Sequence, residues 1–190
     1  MTSEAWPNWN VTKLEAASRQ LRTAIRLLFA QDDAVSVHTL AHASFGLLKG
    51  LAEHHGERRV VEAAKNLSST SKQSDFWTSF NRTGNFFKHA DKDPTDLLTE
   101  RPEEENEALI SLAVEIYRDL KAPPAPEIEA FYLWWRCIHF DDIDDVTEPF
   151  ISWLNANADR LHDETRSDLL ALGNDLLTLL TSHEKHGGSG

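Results

Sequence analysis

The sequence has one cysteine, one methionine and two tyrosines in 190 residues, and no run of eighteen apolar positions. With Cys137 alone, neither an internal disulfide nor a thiolate zinc cluster can be built within one chain. Its flanks, LWWRCIHF, predict a buried small hydrophobe rather than a nucleophile. Without a long apolar run no membrane-spanning helix is expected. The opening MTSEAWPNWN has neither the basic nor the apolar region of a secretory signal, so a soluble, cytoplasmic protein is expected. Positive charge is also scarce: 19 Lys and Arg stand against 31 Asp and Glu, for a formal net charge of -12. That balance argues against unspecific adhesion to nucleic acid, because displacing counterions from phosphates takes Lys and Arg. A Gly-rich phosphate loop, an internal repeat and strand-type alternation are missing as well.

What is present is helical spacing, and the predicted fold class is all-α, a helical bundle without a sheet. Thr12 to Glu15 reads as a capping box, followed by Leu14, Ala17, Leu21, Ile25 and Leu28 at helical intervals as far as AQDD. A second helix is predicted from Ala34 to His55, with a stripe of Val37, Leu40, Ala41, Leu47, Leu48 and Leu51 and Gly56 as its C-terminal cap. The two should form an antiparallel hairpin. A short helix is expected over 57–66, then a polar loop, then a helix from about Ser74 to Ala90 that DKDP ends. Pro102 should open the next helix, with Glu103, Glu104 and Glu105 at the positive end of its dipole and a stripe of Leu109, Leu112, Ala113, Ile116, Tyr117 and Leu120.

KAPPAPE is the clearest linker, stiffened by three prolines, and divides the chain into a bundle core at 1–121 and a C-terminal helical extension at 122–186 packed on it. In that extension EIEAFYLWWRCIHF reads as a buried helix in preference to a strand. Two more helices are expected, near 147–160 and 164–183, the last rich in leucine; residues 187–190 read as a flexible tail.

The stretch NRTGNFFKHADKDP, residues 81–94, carries the chemistry. On a helix, Arg82, Asn85 and His89 share one side, with Phe76, Phe80, Thr83, Gly84 and Phe87 on the other. A guanidinium gives paired donors to a phosphate, and an imidazole titrating near neutrality can take or give a proton. The same spacing also suits a plain solvated face opposite a phenylalanine stripe. The surroundings are the least acidic in the chain: residues 49–92 hold eight Lys or Arg against five Asp or Glu.

RTGNFFKH resembles the Arg-x(4–6)-His motif of the HEPN superfamily, all-helical domains of prokaryotic toxins, abortive-infection proteins and RNA-processing enzymes. The long hairpin followed by a motif-bearing helix is similar to that superfamily's bundle. LEAASRQLRTAIRLLF, VSVHTLAHAS and NFFKHADKDP also resemble a family of small bacterial proteins, which implies kinship and no function. The HEPN resemblance implies a metal-independent ribonuclease of a toxin or defence type. It would act as a homodimer that brings Arg82 and His89 of two copies to one cleft, where the RNA's 2′-hydroxyl attacks the adjacent phosphate. Arg82 would bind the phosphate, His89 would act as acid or base, and Asn85 would orient one of them; no cofactor is implied. Thr83 departs from the Asn, Asp or His that catalytic members usually carry after the arginine.

Two other readings stand beside this one. His38 and His42 in SVHTLAH are one turn apart and offer two imidazoles to a metal, with His89, Asp91, Glu53 or His54 as further ligands. FYLWWRCIHFDDIDD, with the leucine-rich last helix, offers an aromatic surface for a protein partner, since Trp, Tyr and Arg dominate interface hot spots; the same residues equally suit a core.

Overall fold

The computed structural model describes residues 10–57, 81–89, 91, 94–99, 102–139 and 147–187. Every element of regular structure among them is helical: α1 (Lys13–Phe29), α2 (Ala34–His55), a helical segment at 81–86, α3 (Pro102–Asp119), α4 (Pro126–His139), α5 (Phe150–Asn157), α6 (Arg160–Asp163) and α7 (Arg166–Gly187). The all-α bundle expected from the spacing is what the chain forms. None of these helices is long and apolar enough to cross a membrane. Residues 58–66 of the helix expected at 57–66, and the first half of the one expected at 74–90, fall outside the described residues.

Local signals set the helix ends. Thr12 and Glu15 make the reciprocal capping box of α1: the Thr12 hydroxyl accepts from Glu15 N at 3.1 Å, and Thr12 N donates to the Glu15 carboxylate at 2.8 Å. Gly56 closes α2 at φ +77°, a backbone state that only glycine enters without strain. The single helix expected near 147–160 is divided into α5 and α6 by a turn at Ala158 and Asp159. The start near 164 becomes Arg166, because Thr165 is the cap and its hydroxyl accepts from Asp168 N at 3.3 Å. The helix α7 reaches Gly187, one residue into the expected tail.

Packing centres on α1, which is lined by α2 and α3 on one side and by α4 and α7 on the other. Its Ala17, Leu21, Ala24 and Ile25 are wholly buried. Small residues let α2 come close, and the buried Ser44 hydroxyl donates to Ala17 O at 2.9 Å. The α2 stripe therefore runs through Val37, His38, Ala41, Ser44, Phe45, Leu48 and Ala52, while Leu40, Leu47 and Leu51 are only half-buried. On the other side the Phe29 ring stacks on Phe131 (centroids 6.2 Å) and meets Trp134 edge-on (5.3 Å). Trp134 is buried, and its indole N–H donates to Leu169 O at 2.6 Å, tying α4 to α7. Gly173 of α7 lies directly under Phe29, where an added Cβ would overlap the ring.

One charged group joins the two sides of the linker. Glu127, in the first turn of α4, is buried. It receives Arg22 Nε at 2.8 Å and Nη2 at 3.2 Å, together with Arg26 Nη1 from the next turn of α1. Burial would raise its pKa, but the hydrogen bonds from Arg22, from its own backbone and from Arg26, with the charge of Arg22, outweigh this and hold the carboxyl below its ordinary 4.5. The C-terminal half spends its apolar side chains inward: Leu170, Leu172, Leu176 and Leu177 join the core with Phe131 and Trp134, and Trp135 is half-buried. Among the described residues the exposed large hydrophobics are Val35, Leu97 and Ile151. Cys137 is buried too, and burial pushes its thiol up to about 11, which removes it as a nucleophile.

Two stability measurements follow from this packing. Gly173→Ala gains up to about 1 kcal/mol of helix propensity, yet overpacking against a ring held by Phe131 and Trp134 costs about 1–3 kcal/mol. The midpoint of a thermal melt followed by circular dichroism should drop by a few degrees; a raised midpoint means that Phe29 turns aside freely. Glu127→Gln should cost about 1–3 kcal/mol in urea unfolding at pH 7. The cost stays below that of a fully buried pair because Arg22 and Arg26 are 39% and 48% exposed and can rehydrate. The folded pKa lies below the unfolded one, so this stabilisation is present above about 4.5 and lost as pH falls through the folded value. Wild type and variant should therefore converge in acid, and a gap that persists there contradicts the assignment.

Candidate functional site

The site is built on α2. Its His38 is wholly buried, and Nδ1 lies 3.0 Å from Asn106 Oδ1 of α3. Asn106 donates its own Nδ2 to Ala34 O at 3.0 Å, which turns its oxygen toward the histidine and makes His38 Nδ1 the donor. One turn on, the His42 ring stacks with that of His38 at 6.0 Å between centroids. Lys88 Nζ donates to His42 Nδ1 at 2.6 Å, so that nitrogen carries a lone pair.

The 81–86 helix docks on these two rings. Thr83 and Gly84 are buried, and a Cβ at Gly84 would overlap the imidazole of His42, so only a glycine lets the backbone come this close. Phe87 closes the contact edge-on to His38 at 5.5 Å. Regular helix ends at 86, but the backbone continues in register. Phe87 N bonds to Thr83 O at 3.2 Å, and both Lys88 N and His89 N bond to Asn85 O at 3.0 Å.

That register decides where the motif points. With Gly84 against α2, the three residues picked out by spacing, Arg82, Asn85 and His89, are all exposed along the side away from it. The exposure of all three is compatible with the common side that the spacing suggests. Thr83, the departure from the HEPN pattern, does not share that side and is buried at 1% exposure.

Compared with known proteins, the chain matches no family model, no curated protein and no solved structure. Its site is therefore read from geometry alone.

The histidine pair is electrostatically distinct from His89. Burial, the nearby Lys88 charge and His38 together hold His42 down at about 4, far under its ordinary 6.5. His38 is also lowered, first by burial and against the opposing pull of Asn106 and Glu105. Both imidazoles are neutral at pH 7, and each Nδ1 is engaged, by Asn106 and by Lys88. Among the described residues no three His, Cys, Asp or Glu side chains are gathered as a metal site. The two rings receive the motif helix, Gly84 against His42 and Phe87 against His38.

Two contributors escaped the sequence reading. Gly84 read as one more residue on an apolar face, and Lys88 as an unremarked charge. The signal for both is their spacing of four, which puts them on the same side of the helix; their acceptor, His42, lies 46 positions from Lys88 and carries no local mark.

The half-buried, neutral His42 makes stability depend on pH in a defined direction. Between about 6.5 and about 4 the unfolded chain takes up a proton that the folded chain refuses, so stability falls as pH falls through this window. His42→Asn, which keeps an acceptor near Nδ1 but cannot titrate, should flatten part of that slope, with His38 accounting for the rest. An NMR titration of the His42 ring with a midpoint near 6.5 would falsify the placement.

Proposed function

We propose that this chain is a HEPN-like protein that binds RNA and cleaves its backbone without a metal, Arg82 and His89 being the working pair. The observation that carries the reading is the exposure of Arg82, Asn85 and His89 along one side of a helix whose other side is fixed on α2 through Gly84. Such anchoring is what catalysis requires, because a proton-transfer group must be held within hydrogen-bond reach of the atom it serves.

In this reading two copies meet at their motif helices, and a phosphate lies between them. Arg82 donates a pair of N–H groups to its non-bridging oxygens. One His89 takes the proton of the 2′-hydroxyl as its oxygen bonds to phosphorus. The second copy's His89 gives a proton to the 5′-oxygen as the P–O5′ bond breaks. The products are a 2′,3′-cyclic phosphate and a free 5′-hydroxyl, with no oxidant, reductant or cofactor consumed. Asn85, one turn from each of the pair, orients one of them. The acidic net charge suits binding at this local, less acidic patch in preference to coating of the whole surface.

The test is cleavage of total RNA by purified full-length protein in EDTA, with the new ends identified as cyclic phosphate or not. His89→Ala should slow cleavage by about 10²- to 10⁴-fold, and Arg82→Ala should weaken both binding and rate. Equal cleavage by the two variants and the wild type rejects the site.

A further inference from the structure

Of the lysine side chains described, Lys13, Lys49, Lys88 and Lys121, Lys88 is the one hydrogen-bonded to an imidazole, with Nζ 2.6 Å from His42 Nδ1. The pair is fixed from both sides. The Lys88 backbone N–H is bonded to Asn85 O, and one turn back Gly84 lies against the His42 ring. Lys88 is nevertheless an exposed residue, so its amine is open to a solute.

An amine beside a base is the arrangement of an activated nucleophile. The imidazole gives the ammonium an acceptor but no countercharge, and burial lowers the Lys88 pKa from its ordinary 10.5. More of the amine is then in its nucleophilic form at a given pH. The titratable groups around His42 are Lys88 and, on its own helix, His38, on which Glu105 of α3 acts in turn. In the neutral amine one N–H stays on His42 Nδ1, which turns the nitrogen lone pair away from the ring.

We propose that Lys88 is an acylation site, its amine attacking the carbonyl carbon of an acyl phosphate while His42 Nδ1 serves as the base. As the N–C bond forms, the nitrogen gains positive charge and becomes far more acidic than a free ammonium. Its proton passes to His42 Nδ1, the bond between the carbonyl carbon and the phosphate oxygen breaks, and phosphate leaves with the electron pair. His42 then returns the proton to water. A ring of low proton affinity suits this step, because it accepts from an acidic nitrogen and empties again at pH 7. The product is a neutral amide, so the 81–89 segment loses one positive charge. The inference stands independently of the RNA reading.

The test is incubation of full-length protein with acetyl phosphate, following the acetylation of each lysine by peptide mass spectrometry. Lys88 should react about three- to tenfold faster than Lys13, Lys49 and Lys121. His42→Asn keeps an acceptor for Lys88 but takes no proton, and should bring Lys88 down to the level of the other three. That loss is smaller than the roughly 10²- to 10⁴-fold of a base tuned to neutrality, because an imidazole held at about 4 is a weak one. The Lys88 rate should also level off below pH 10.5. Equal acetylation of all four lysines in the wild type overturns the proposal, whether or not the variant folds. So does a His42→Asn protein that is native by circular dichroism and acetylates Lys88 at the wild-type rate.

Discussion

Everything in this bundle hangs on how α1 is enclosed, and the tightest point of the enclosure is the Phe29 ring lying on the bare backbone of Gly173. A helix with apolar residues on two sides cannot be satisfied by a hairpin partner alone. The helices α2 and α3 cover one side, and Phe29 turns to the other, where Phe131 and Trp134 hold its ring from α4 and Gly173 lets α7 close over it. Aromatic pairs of this kind add about 0.5–1.5 kcal/mol each beyond the area they bury. The larger effect is geometric, because the ring fixes how far apart the helices sit.

The motif surface inherits its order from that enclosure. With α1 fixed, Ser44 and Ala17 set the depth of α2, and Asn106 links α2 to α3 through His38. The two histidine rings then form a ledge on which Gly84 and Phe87 rest. Each step turns a core contact into a constraint on orientation, and the last one aims Arg82, Asn85 and His89 outward. The buried polar groups of α2 thus position this surface without belonging to it.

Features written in adjacent residues were legible in the sequence: the Thr12 and Glu15 box, the Gly56 cap, the start at Pro102 and the common side of Arg82, Asn85 and His89. Each follows from a local rule of spacing or backbone geometry. What escaped depends on partners far along the chain. A glutamate in PEIEAF looks like any solvated first-turn acid, and only arginines 101 and 105 positions earlier make it worth burying. His38 and Ser44 displaced leucines from the centre of the α2 stripe because a small hydroxyl and a bonded imidazole fit where α1 and α3 come close. The turn between α5 and α6 was missed for the opposite reason: helical spacing runs through Ala158 and Asp159 without a Gly or Pro to mark it. Lys88 was passed over because its acceptor lies on another helix.

The proline segment between α3 and α4 bears a different meaning from the one its composition suggests. Proline-rich stretches usually mark where a protein can be shortened. Here the Tyr117 hydroxyl donates to Pro123 O at 2.7 Å, Glu127 just beyond is gripped by α1, and the Arg118 guanidinium lies 3.7 Å over the Tyr132 ring. The segment is a splice, fastened at both ends to the pieces it joins. Ending the chain at residue 121 would uncover Phe29, deprive Arg22 and Arg26 of their carboxylate and loosen the helix against which the whole Arg82 surface is ultimately braced. The smallest unit that keeps α1 covered therefore includes the helices beyond the prolines.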